Sequence, residues 1–153
     1  MYSLTLTVHS WVRWALVVCA LVAFLRSGYA LQRGKAFSNV DLGLAKALAA
    51  LLSLQLLLGL ALYLLLSPIV RVGLSDLGAA MSSSMVRFFV VEHQVAALVA
   101  IGVGLAGVLR VWRAVEDSGR HKGVFWGAGG CLVMILIAIP WPFLPYGRAL
   151  FRL

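Results

Sequence analysis

Glu92, His93 and Gln94 stand together inside FFVVEHQVAALVA, residues 88 to 100, a stretch that is otherwise apolar. A second histidine, His9, lies close to the start of the chain in the motif HSWVRW. An imidazole can relay protons or bind a metal through a ring nitrogen, and a neighbouring carboxylate or amide can fix its tautomer by a hydrogen bond. Polar groups inside a membrane span are costly and usually functional, so these residues are the first candidates for chemistry.

The composition is that of a membrane protein. Of the 153 residues, 63% are hydrophobic and 12% are charged, whereas soluble domains have roughly 45–50% apolar and about 25% charged residues. We expect one all-α transmembrane domain over residues 1–153, a four-helix bundle, with too little chain left for a separate soluble catalytic domain. Segments of about 20 apolar residues are long enough to cross a bilayer. Four qualify, at residues 4–29, 42–66, 86–111 and 123–144, and residues 67–85 form an outer loop predicted to contain a short helix or hairpin.

The net charge of +8 comes from basic residues that lie mainly at the ends of apolar runs. This distribution is typical of topology signals and argues against a nucleic-acid partner. The side with the two short connections holds eight of them: Arg26, Arg33, Lys35, Lys46, Arg110, Arg113, Arg120 and Lys122. The side with both termini and the outer loop holds five: Arg13, Arg71, Arg87, Arg148 and Arg152. By the positive-inside bias, the short connections face the cytoplasm and both termini face the periplasm. The first residues lack the features of a cleaved signal peptide, so we expect the first span to be retained.

His9 and His93 are predicted to lie at similar depths, because spans one and three both start on the outer side. His93 follows Arg87 by six residues, roughly 9 Å along a helix axis, and His9 follows Leu4 by five residues, roughly 8 Å. Two imidazoles at one level on facing helices suit a b-type haem, with one nitrogen on each face of the iron. Below His93 the same helix face carries small residues: Ala97, Ala100, Gly104 and Gly107. Such a stripe leaves room for a flat macrocycle, and it is equally typical of close packing between membrane helices.

The polar residues beside the histidines each have more than one interpretation. Arg13 lies one turn from His9 and could pair with a haem propionate or with Glu92. Glu92 or Gln94 could orient an imidazole or contact a quinone headgroup.

Interpretations without haem keep the same histidine pair. The two imidazoles could bind copper or zinc, relay protons, or serve packing alone. Gln55, near the middle of span two, is more typical of a hydrogen bond between helices than of a transport site. Cys19 and Cys131 lie in separate spans without metal or redox spacing, and we interpret them as buried small hydrophobic residues. His121, in the connection after span three, is expected in solvent or among lipid headgroups.

Four motifs spread over nearly the whole chain resemble one family. They are HSWVRW (9–14), LGLALYLLLSPIV (58–70), RFFVVEHQ (87–94) and IPWPFLPYGR (139–148). In these motifs the chain is similar to small four-helix bacterial membrane proteins of Bacteroidetes and their relatives, described as cytochrome b-like. The resemblance implies a place in the bacterial inner membrane and roles for His9, Arg13, Glu92, His93 and Arg148. The chain does not show the four-histidine pattern of a two-haem cytochrome b, which argues against electron transfer across the membrane through stacked haems.

The leading hypothesis from the sequence is a membrane haem b protein that transfers electrons on the periplasmic side, within or beside a respiratory complex. The predicted cofactor site consists of His9 and His93 as ligands of the haem iron, with Arg13, Arg148, Glu92, Ala97 and Gly104 around them. A quinone is a second candidate cofactor. The alternative hypothesis is a cofactor-free accessory subunit that packs against larger partners in the bilayer. Either role fits a subunit better than a stand-alone enzyme.

Overall fold

The computed structural model describes residues 1–151, so Arg152, which the charge count includes, lies outside the described residues. Regular structure in this part of the chain is entirely helical, which confirms the all-α prediction. In chain order the helices are α1 (Tyr2–Arg33), α2 (Asn39–Ala61), α3 (Pro68–Ser75), α4 (Leu77–Ser82), α5 (Ser84–Arg87), α6 (His93–Arg113) and α7 (Asp117–Ala138).

Four helical segments within residues 1–151 are long and apolar enough to cross a membrane. They are α1, α2 with its continuation to Leu66, α6 with the preceding residues from Ser84, and α7. Large apolar side chains on their outer surfaces are exposed, among them Leu57 at 65% and Leu98 at 56%. By the length and composition of these helices, the chain is a multi-pass membrane protein.

The four long helices form a bundle in which each packs against two others: α1 against α2 and α7, and α6 against α2 and α7. The core between them is built from Leu16, Leu48, Leu52, Val108 and Cys131, all essentially inaccessible. Small residues allow the closest approach, between α6 and α7. A Cβ added to Gly107 would lie only 2.5 Å from Gly127 Cα and 2.6 Å from the carbonyl oxygen of Gly123. This is the small-residue packing by which membrane helices associate.

Two wider π-helical turns interrupt the helices on either side of the outer loop, which itself forms α3, α4 and α5. The first π turn is Leu62–Leu66, at the end of α2, and the second is Phe88–Glu92, at the start of α6. The Tyr63 hydroxyl of the first donates a hydrogen bond to the Val90 carbonyl of the second, at 3.2 Å. Such π turns often lie at functional sites. Here one ends α2, the other leads into α6, and the Tyr63–Val90 hydrogen bond joins them.

The fourth span differs from its predicted bounds at both ends. α7 begins at Asp117 instead of near residue 123, so its first turns include residues that the sequence assigned to a connection. It ends at Ala138, shortly before Pro140 and Pro142, which cannot continue a helix. The chain then folds back over α1, and the Leu150 carbonyl accepts hydrogen bonds from Arg13 Nη2 at 3.0 Å and from Trp14 Nε1 at 2.9 Å.

Candidate functional site

The structure brings the rings of His9 on α1 and His93 on α6 together in a tilted, edge-to-face arrangement. Their ring centroids are 6.4 Å apart and the ring planes are inclined by 61°. A metal–imidazole bond is about 2.0–2.1 Å long, and the ring centre lies roughly 1.1 Å beyond the bonding nitrogen, so two imidazoles on opposite sides of one metal have centroids about 6 Å apart. The observed separation is therefore compatible with a shared metal atom between the rings.

His93 is held by the end of α7. Its Nδ1 lies 2.8 Å from the Ala138 carbonyl oxygen, which can only accept, so Nδ1 carries the proton and donates. This leaves Nε2 without a proton in the neutral ring and able to bind a metal. A backbone carbonyl that orients a histidine in this way is common around metal sites. Neither Glu92 nor Gln94, which the sequence suggested for this role, supplies the bond.

His9 has a partner that the sequence did not assign to it. The Gln55 side-chain nitrogen lies 3.2 Å from His9 Nε2, which places the polar group of α2 against the histidine pair. Gly59, one turn further on, lies beside the ring, where an added Cβ would be in ordinary van der Waals contact, 3.6 Å from His9 Cε1. His9 Nδ1 and Gln55 Oε1 are buried and have no hydrogen-bond partner within residues 1–151. The site thus contains polar atoms that a bound group could satisfy.

Two cavities meet at the histidine pair. A small cavity of about 90 Å³ is lined towards the termini by Ser67 and Arg148. A large cavity of about 280 Å³ extends between α2 and α6, past Ala97 and Leu98. The two share six lining residues: His9, Arg13, Gly59, Tyr63, His93 and Gln94. The histidines therefore lie where the small cavity, which contains more polar groups, joins the more apolar large cavity.

The predicted arginines lie at the polar end of this space. Arg13 lines both cavities and donates through Nη2 to Ser10 Oγ at 3.1 Å as well as to Leu150. Arg148 lines the small cavity, and its guanidinium carbon lies 5.3 Å from the centre of the Phe89 ring. Both guanidinium groups are thus close to the histidine pair.

Glu92 and Gly104 do not line either cavity. Glu92 forms an ion pair with Arg87 at 2.7 Å, with both side chains more than 40% exposed, so the suggested pairing of Glu92 with Arg13 is replaced by a local one. Gly104 packs against Leu52 and Cys131, where an added Cβ would lie 2.6 Å from Leu52 Cδ1. The stripe of small residues is divided in two: Ala97 and Ala100 line the large cavity, while Gly104 and Gly107 serve packing between helices.

The prediction for His121 was wrong. It lies in the second turn of α7, is 1% exposed, and has its ring centroid 4.9 Å from that of Phe37. Both ring nitrogens are buried without a hydrogen-bond partner in the described part of the chain. The sequence suggested a solvated residue because RHK reads as a polar connection, but α7 starts earlier and turns this side chain inward.

The donor set limits which groups could bind at the histidine pair. Across residues 1–151, no group of three or more His, Cys, Asp or Glu side chains is placed to hold a metal ion. A structural zinc ion bound by protein alone takes four ligands, more than the two imidazoles supply. A porphyrin supplies four nitrogens of its own, so haem iron would need no more protein ligands than two imidazoles.

Comparisons with known protein families, with curated proteins and with solved structures find no match for this chain. The similarity to cytochrome b-like proteins therefore remains a hypothesis that depends on the four motifs alone.

Proposed function

We propose that the chain is a membrane haem b protein that transfers electrons, in which His9 and His93 would bind the haem iron. The observation that carries this proposal is the histidine pair: two imidazoles from facing helices, with centroids 6.4 Å apart, at the junction of two cavities. Haem, when bound, supplies one-electron redox chemistry. The chain contributes the ligands, their orientation and the surroundings that exclude water.

The surroundings of the pair differ between the two cavities, with the cationic groups concentrated at the small one and a mainly apolar lining in the large one. Arg13 and Arg148 stand at the small cavity, where their guanidinium groups would hold the propionates by charge-assisted hydrogen bonds. Ala97 and Ala100 line the large cavity and leave room for the apolar part of the macrocycle. The Ala138 carbonyl fixes the tautomer of His93 and raises its basicity as a ligand.

The proposed location is the bacterial inner membrane, with the histidine pair near the periplasmic surface. The side with the short connections carries eight basic residues against five on the other, and the positive-inside bias assigns the richer side to the cytoplasm. The exposed apolar surfaces of the four long helices suit contact with lipid or with subunits of a respiratory complex. Electron exchange on the periplasmic side would then involve a soluble carrier or a membrane quinol.

Replacing each histidine separately tests the proposal. His9→Ala and His93→Ala should each abolish or strongly shift the Soret absorption of protein expressed with added haem and purified in mild detergent. His121→Ala is the matched control, because His121 is a buried histidine of α7 that lines neither cavity. Circular dichroism and size exclusion confirm that each variant is folded. If Soret absorption survives both replacements unchanged, the ligand assignment is wrong.

One observation favours a second candidate, the cofactor-free accessory subunit. Each imidazole already has a partner inside the chain, His9 in Gln55 and His93 in Ala138. In this role the pair would act as hydrogen-bonded packing, His9 between α1 and α2 and His93 between α6 and α7. It predicts a colourless protein that co-purifies with a larger membrane complex after solubilisation in mild detergent.

A further inference from the structure

A third cavity, of about 330 Å³, lies at the opposite end of the bundle from the histidine pair, where α1 passes into α2. Two cationic side chains, Arg26 and Lys35, line it together with Tyr29, and Ala30 and Ala36 provide apolar walls. It combines positive charge, hydrogen-bond donors and a small apolar surface at one end of the membrane-spanning segments.

The turn after α1 builds this cavity. Gly34 ends the helix with φ 59°, a left-handed conformation that glycine adopts without strain. The Lys35 amide then donates to the Ala30 carbonyl at 3.0 Å, which folds the chain back towards the last turns of α1. As a result, the Lys35 ammonium lies 4.8 Å from the centre of the Tyr29 ring. Lys35 is thereby placed over the cavity instead of extending away from the protein.

The charge in the cavity is only partly neutralised. Arg26 Nε donates to the buried Asp41 carboxylate at 2.6 Å, and the same carboxylate accepts from the Ser38 amide at 2.8 Å in the capping box of α2. Asp41 is therefore fully engaged by Arg26 and by the helix terminus. Lys35 forms no ion pair with a carboxylate among the described residues. The charged lining groups, Arg26, Lys35 and Asp41, leave one net positive charge. The Arg33 guanidinium carbon also lies 5.9 Å from the centre of the Tyr29 ring.

From this arrangement we propose that the cavity binds the phosphate group of an anionic glycerophospholipid. Basic pockets at the ends of membrane helices recognise such headgroups. The surface below the cavity favours a lipid over a soluble phosphate compound: Leu25 and Tyr29 lie one turn apart on α1 and are 58% and 51% exposed, forming an apolar track along which an acyl chain can lie. The site is independent of the histidine pair and of the proposed function.

Native mass spectrometry of the full-length protein in mild detergent tests this inference. The protein is titrated with phosphatidylglycerol and with phosphatidylcholine of the same acyl chains, and Kd is measured for the first lipid bound. The variant Lys35→Gln removes the unpaired charge but leaves the Arg26–Asp41 ion pair intact. Lys122→Gln is the matched control, because Lys122 is an exposed lysine at the same end of the bundle but outside the cavity.

We expect the anionic lipid to bind more tightly than the zwitterionic one, and Lys35→Gln to weaken it about fivefold, while Lys122→Gln changes Kd by less than about twofold. Millimolar inorganic phosphate should leave the bound lipid in place. Equal affinity for the two lipids would overturn the inference, as would an equal loss in both variants, which indicates diffuse surface charge. Displacement of the lipid by inorganic phosphate would show a site for the free anion and overturn the assignment to lipid.

Discussion

The contact between α6 and α7 at Gly107 gives the sharpest prediction about the bundle. In Gly107→Ala the new Cβ would lie 2.5 Å from Gly127 Cα and 2.6 Å from Gly123 O, about 0.9 Å short of the 3.4 Å at which ordinary Cβ contacts begin. Both neighbours are backbone atoms, so a change of side-chain rotamer cannot relieve the clash. The two helices must move apart along their closest contact.

The size of the effect follows from two opposing contributions. Overpacking of a well-packed interior costs about 1–3 kcal/mol, and replacing a helical glycine by alanine returns about 0.5–1 kcal/mol. The free energy of unfolding of Gly107→Ala should therefore fall by up to about 2.5 kcal/mol. Gly102 of the same helix separates the two contributions, because a Cβ there would meet no atom of residues 1–151 within 4 Å. Gly102→Ala should keep the favourable contribution alone.

Unfolding by sodium dodecyl sulphate in mixed micelles, followed by far-ultraviolet circular dichroism, measures both variants against the parent protein. The difference between Gly102→Ala and Gly107→Ala isolates the clash and should be about 1–3 kcal/mol. Equal stability of the two variants would refute the close packing of α6 on α7 at this glycine.

The same assay tests two further features. Leu52→Ala should lower the free energy of unfolding by about 1–3 kcal/mol, less than the roughly 2–5 kcal/mol typical of soluble cores, because the unfolded helix is also surrounded by apolar chains. Leu57→Ala, at a position that is 65% exposed, should be near neutral. An equal effect of the two would contradict the assigned core. Asp41→Ala removes the capping box of α2 and the partner of Arg26 and should cost at least about 1–2 kcal/mol. Asp76→Ala removes an exposed cap of the short helix α4 and should cost less, so the reverse order would contradict the assigned role of Asp41.

The four long helices could be predicted from the sequence because a bilayer requires long apolar runs, whatever the tertiary structure. The convergence of His9 and His93 could also be predicted, since their distances from the same end of the bundle follow from helix geometry. Each of these inferences uses only the order of residues along one helix. They need no knowledge of which faces of the helices meet.

What the sequence could not supply depends on helix rotation and on local backbone geometry. Gln55 was interpreted as a contact between helices, but its specific partner, His9, follows only from how α2 is rotated against α1. The π turns at Leu62–Leu66 and Phe88–Glu92 leave no composition signal, because a single wide turn barely changes the apolar periodicity. His121 was assigned to solvent because its basic neighbours, Arg120 and Lys122, obscured the start of α7. Which of these adjacent side chains faces the protein interior depends on the rotation of the helix about its axis, which the sequence does not show.

The most direct test of the proposed function is the visible spectrum of the intact protein, recorded oxidised and after reduction with dithionite. The protein should be expressed with added haem and purified in mild detergent, so that supply of the cofactor does not limit the result. Ligation by His9 and His93 predicts a Soret band and, on reduction, the sharp alpha band of a six-coordinate b-type haem. A folded but colourless protein would contradict haem binding and favour the accessory subunit.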